Sequence, residues 1–253
     1  MNTPEWFNLS EDITTSVLQR VSQTIQDSDL PVCIRSVPLL SFWFFLDSIR
    51  LANQANRDGM HANALSLTRQ CFEALIVIDL SICGHNEAEA IISRWDEDRI
   101  NPGGLRKFLD ENVWQAYGHG LWDETYAVFM KEFAKALQPY AHYCSKLAQW
   151  QVRQIPGSLE SKPGGGFTAL LEMRPRAYDP QKATRITLFH SILTYCLGRI
   201  WIANNKVDFE FKEQVKRLGA ALGKSEYLDG HKTDWGQQFW AMLWSSRGDT
   251  VLE

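Results

Sequence analysis

Apolar residues recur three and four positions apart along most of this chain, the spacing that gathers them on one face of an α-helix. Ser10 is placed to cap a first helix, with Glu11 and Asp12 in its first turn. Ile13, Val17, Val21 and Ile25 then fall on one face. Pro31 closes that region. Pro38 opens a second helix that carries Phe42, Phe44, Phe45, Leu46 and Ile49 and stops near Gly59. A third helix is predicted over residues 61–83, with Gly84 as its left-handed terminator. Its second half, Leu75-Ile76-Val77-Ile78, is apolar on every side, as in a helix at the centre of a bundle. Asn86 is placed to cap a fourth helix reaching Arg99, and Asn101-Pro102-Gly103-Gly104 reads as a break. A shorter helix follows over 105–117. Asp123 is placed to cap a long stretch to about Trp150, kinked at Pro139.

Between residues 154 and 178 the periodicity fails. Pro156-Gly157 and Pro163-Gly164-Gly165-Gly166 mark loops, and 167–173 has the pattern of a short strand. Asp179-Pro180 then starts a strong helix with Phe189, Ile192, Leu193, Cys196 and Ile200 on one face. Further helices are predicted over 209–222 and after Asp234, the last with Phe239, Trp240, Leu243 and Trp244. The expected fold is all-α: a multi-helix bundle with long antiparallel helices and one irregular Gly/Pro-containing excursion. It reads as a single domain over 1–253, with a core bundle at about 10–204 and the helices of 205–253 packed on it.

Composition narrows this only slightly. The 253 residues are 45% apolar and 22% charged, an ordinary globular balance. Ten Trp and thirteen Phe point to a core or interface built on large rings. A net charge of −4 implies no general attraction to nucleic acid or anionic lipid. The charge is uneven, however: seven basic and three acidic residues lie between Lys146 and Arg185, so that segment is at +4 and the rest at −8. Cys33, Cys71, Cys83, Cys144 and Cys196 form no CxxC pair and read as free thiols of a reducing compartment. The N-terminus has no signal-peptide pattern, and the most apolar window, 37–46, is too short for a membrane span. The expectation is a cytoplasmic protein without a membrane segment.

Several chemistries are excluded by spacing. Gly223-Lys224-Ser225 resembles the end of a phosphate-binding loop, but the first glycine of that motif would stand where Leu218 is. No HExxH, GxSxG or Glu-x-x-His occurs, and no metal or cofactor is expected. Asp96-Glu97-Asp98 reads as a solvated helix end.

Three constellations remain. Arg69 and Glu73 are four apart on a helix that turns apolar: either a buried structural ion pair or a site where a guanidinium holds an anion. Arg185 and His190 form an R-x4-H arrangement at the end of the basic run Arg174, Arg176 and Lys182. Arginine can stabilise a phosphorane-like charge and histidine can move a proton, the two roles metal-free RNA cleavage needs. The plainer reading is a core or surface histidine. His142, within Tyr140-Ala141-His142-Tyr143-Cys144-Ser145, is either an aromatic-flanked core histidine or a lining residue of the cavity beside Arg69.

The run 64–75, ALSLTRQCFEAL, is similar to a stretch of a broad bacterial family of helical proteins in which an apolar helix carries Arg and, four residues later, Glu. A later helix of that family carries Tyr, Ser and His, which 140–145 resembles. The family is grouped by fold with the HEPN superfamily of helical bundles, and the resemblance covers about residues 40–204. It implies a bacterial defence or toxin–antitoxin protein, commonly a homodimer. Many such proteins are metal-independent ribonucleases with a composite cleft, while others only bind. On that resemblance Arg185 and His190 are the catalytic candidates, although Ile186 follows where the ribonuclease motif usually has a polar residue. Arg69, Glu73, His142, Arg174, Arg176 and Lys182 are the candidates for holding RNA or a ligand. The alternative expectation is a non-catalytic partner or sensor that docks through Trp235, Trp240 and Trp244.

Overall fold

The computed structural model describes residues 37–205 except 156, 159 and 177, together with 209–225 and positions 5, 6, 8–10, 16 and 20. Most of the first predicted helix and all of the Trp-rich last one lie outside the described residues. The rest is a helical bundle, as the periodicity predicts.

Helix α1 (Val37–Arg57) and helix α2 (His61–Ile82) form a tight αα-hairpin. Gly59 turns it with φ +74°, and a Cβ there would stand 2.8 Å from the Tyr178 backbone nitrogen. Only glycine lets the turn sit this close to the segment that enters the last long helix. Helix α2 is the centre of the molecule, packing on nearly every other helix. Leu65, Cys71, Phe72, Leu75 and Leu80 on it have no exposed surface. It ends where predicted, with Gly84 at φ +68°.

Helix α3 (Ala88–Asp96) and helix α4 (Pro102–Asn112) follow as a short pair. Asn101-Pro102-Gly103-Gly104 starts a helix instead of breaking one. Asn101 caps α4 by accepting from the Gly104 amide at 2.9 Å, and Pro102 takes the first helical position. A 3₁₀ turn, Trp114–Tyr117, leads to helix α5 (Tyr126–Leu137), which Thr125 caps, not Asp123. The long stretch expected up to Trp150 stops at Leu137. Gln138-Pro139-Tyr140 tightens into a 3₁₀ turn, and only the single-turn helix α6 (Ser145–Ala148) and another 3₁₀ turn follow.

The irregular excursion is a β-arm. Strand β1 (Val152–Gln154) pairs antiparallel with β4 (Leu171–Met173), and β2 (Glu160–Ser161) with β3 (Phe167–Thr168), with three positive-φ glycines, 164–166, at the tip. Helix α7 (Pro180–Asn204) returns through the core, capped by Asp179, which accepts from the amides of Gln181 and Lys182 at 3.0 and 3.2 Å. Among the described residues it is the one helix long and apolar enough to cross a membrane, and most of it is buried within the protein. Helix α8 (Phe209–Gly223) closes on it, with Gly198 against Val215.

Candidate functional site

The sequence-predicted residues do not converge on one place. Arg185 and His190 lie five residues apart on α7, which turns their side chains about 140° from one another around the helix. Both are buried, Arg185 with 1% and His190 with 4% of its surface exposed. The ring of His190 is held at both nitrogens: Nδ1 is 2.6 Å from Asn53 Oδ1 on α1, and Nε2 is 2.8 Å from Thr68 Oγ1 on α2. Burial pushes its pKa down to about 3, so the ring is neutral. A proton shuttle needs a nitrogen within reach of substrate. In this fold the histidine is instead a tie between three helices.

His61 does similar work one hairpin turn away. The backbone amide of Asp179 donates to His61 Nε2 at 3.0 Å, so Nδ1 carries the proton and donates to Asn56 Oδ1 at 2.9 Å. Asn56 in turn donates to the Ala183 carbonyl and to Thr187 Oγ1. Burial first, then the field of Lys182, lowers the His61 pKa to about 4.

The basic run does not form a patch. Lys182 is buried and donates to the carbonyls of Gln149, Trp150 and Val152, so it closes the 3₁₀ turn before β1. Desolvation lowers its pKa to about 8. Arg174 is exposed and pairs with Glu172 at 2.9 Å. Arg176 is exposed too, with a left-handed φ of +57° before α7. His142 is exposed in the turn after Tyr140, not in a helix, and lines neither cleft described below.

Arg69 and Glu73 do meet, Nη2 to Oε1 at 2.8 Å. Arg69 is 5% exposed, and its Nε and Nη1 are buried without a hydrogen-bond partner. Its guanidinium lies 5.4 Å from the centre of the Phe72 ring. Burial lowers its pKa, Glu73 opposes that, and the nearby Arg106 lowers it further. Glu73 also lines an apolar groove of about 350 Å³ with Phe44, Val77, Trp95 and Leu105.

Two groups were missed by the sequence reading. Asp79 interrupts the apolar run of α2 and is fully buried. Trp114 Nε1 donates to its Oδ2 at 2.7 Å and Tyr117 to its Oδ1 at 2.6 Å, while Asn204 donates to the Tyr117 oxygen at 2.7 Å. Burial outweighs these donors and raises the Asp79 pKa to about 6. The second group is a cleft of about 430 Å³ between α4 and α5. Arg106 and Lys107 line one wall, Lys131 and Lys135 the other, with Asp110, Gln138 and the buried Trp114 completing it. The signal available in sequence was one basic pair on each of two helices; their juxtaposition comes from both helices packing on α2.

Among the described residues no group of His, Cys, Asp and Glu is placed to hold a metal ion. Compared with protein-family models, curated proteins and solved structures, the chain matches none of them.

Proposed function

We propose that this chain is a non-catalytic binding protein built on a helical bundle, and not a ribonuclease of the arginine–histidine kind. The observation that carries this reading is His190, buried on α7 with both ring nitrogens engaged and its pKa depressed. The resemblance to HEPN-type bundles admits both catalytic members and members that only bind. A composite cleft between two copies requires the Arg and His of each copy at a surface, and burial of Arg185 and His190 speaks against that arrangement. Their chemistry fits a structural role: an uncharged imidazole satisfied on both sides stabilises a helix seam without the cost of a buried charge.

RNA cleavage in the presence of EDTA tests this, with wild type beside Arg185→Ala and His190→Ala. The expected result is no cleavage by any of the three, or the same trace in all. Metal-free cleavage by wild type that disappears in two folded variants would restore the ribonuclease.

A further inference from the structure

We infer that the cleft between α4 and α5 is a binding site for a small, multiply charged phosphate-type anion. This gives a ligand class to the binding reading above and rests on it. Its lining sets four cations, Arg106, Lys107, Lys131 and Lys135, against one carboxylate, Asp110. Lys107 and Lys135 have partial partners, Glu111 and Glu132 on their own helices, but no ion pair occupies Arg106 or Lys131 among the described residues. The arrangement is unusual for a chain whose net charge is −4, since the positive charge is concentrated against the overall field.

Lys107, Lys131 and Lys135 are exposed, and Arg106 is the cation held against the protein. Arg106 is half-buried, and its charge adds to the burial that lowers the pKa of Arg69. Arg69 on α2, which does not itself line the cleft, has two buried nitrogens without a hydrogen-bond partner. Like charges held together at partial burial are costly unless an anion joins them. Arginine presents a planar donor fork to phosphate oxygens, and lysines add mobile point charges. The cleft, at about 430 Å³, lies in the range of small-molecule sites, about 300–1,000 Å³. At that volume it suits a compact oligoanion better than a long polymer.

Titration calorimetry of the full chain with inorganic tripolyphosphate, and separately with orthophosphate, tests the site at low and moderate salt. The inference expects saturable one-to-one binding of tripolyphosphate, weaker binding of orthophosphate, and loss of affinity as salt rises. Arg106→Ala combined with Lys131→Ala is expected to weaken binding by about tenfold or more. Lys216→Ala on α8 is expected to leave it unchanged. Should the double variant alter the unfolding transition, Lys131→Gln, a single exposed change, is expected to show the same direction. Absence of saturable binding by wild type, or equal binding by the double variant, overturns the site. So does a short RNA that binds here and is not displaced by tripolyphosphate. RNA cleavage that depends on Arg185 and His190 would remove the binding-only reading, while this titration still decides the cleft.

Discussion

Two polar regions of this bundle differ in one respect, whether each charged or polar group has a partner. Along the α1–α2–α7 seam and at the far end of α2, three buried groups are matched: His61 with Asn56 and the Asp179 amide, His190 with Asn53 and Thr68, Asp79 with Trp114 and Tyr117. At the α4–α5 cleft cations outnumber acids, and on α2 Arg69 keeps two nitrogens without an acceptor. Matched groups fix how helices meet. Unmatched ones store a preference for something not in the chain. Sequence shows which residues are polar; only the packing shows which kind each is.

The largest effect expected on stability is at Asp79. Replacing it by Ala leaves the buried Trp114 indole N–H and the half-buried Tyr117 hydroxyl without their acceptor. Each such donor costs a desolvation penalty, so Asp79→Ala is expected to lose about 3 kcal/mol in urea unfolding. A loss under about 1 kcal/mol would mean that the network is not tightly matched.

The pH dependence of stability comes next, and its sign follows from the pKa directions. His61 and His190 sit at about 4 and 3, below the ordinary 6.5. The unfolded chain therefore binds more protons than the folded one, and their contribution is full above pH 6.5 and falls as pH drops. Asp79, raised to about 6 from 3.8, acts oppositely: its contribution is present at the acid end and is lost as pH rises through 6. Between about pH 4 and 6 it offsets one of the two histidines. These groups together are then expected to lower stability by about 1.4 kcal/mol per unit of acidification. In His190→Gln one histidine remains against Asp79, so the slope over that window should flatten. An unchanged slope in chemical unfolding from pH 4 to 6 would show that His190 titrates normally and is not held as described.

The helices were legible because each carried both a period and an end signal. Asp179-Pro180 and Gly84 were recognised, and α7 and α2 begin or end there. The same kind of signal, a capping side chain followed by Pro, stands at Asn101-Pro102 and starts α4, but the two glycines after it usually interrupt helices and hide it. The site was less legible, for a different reason. Arg185 and His190 are conspicuous by type, but helical geometry turns them apart and the core covers both. Arg106 and Lys131 are inconspicuous by type, and they line one cleft only because α4 and α5 share α2 as a support. Asp79 was visible as one acid in an apolar run, yet its donors, Trp114 and Tyr117, are more than thirty residues away in the chain.

A smaller effect is expected at Glu73. Its carboxylate is the acceptor for the Arg69 guanidinium among the described residues, and it is about one-third exposed. Glu73→Ala leaves a buried cation with no acid beside it, while water reaches part of the gap. A loss of about 1 kcal/mol is expected, less than for a fully buried pair. Stability equal to wild type would place the Arg69 charge in solvent contact.

The smallest effect, and the sharpest test of the comparison, is Arg69→Met. Methionine keeps an unbranched stem over Phe72 and removes a guanidinium that is desolvated and only partly satisfied. Glu73, left behind, is exposed enough to be hydrated. Replacing an imperfect buried ion pair by an apolar side chain of similar length is often neutral, so a change within about 1 kcal/mol of wild type is expected. The same substitution should leave the cleft's cations in place. If Arg69→Met instead destabilises as much as Asp79→Ala, Arg69 belongs with the matched groups, and the unpaired charge has to be sought in the cleft alone.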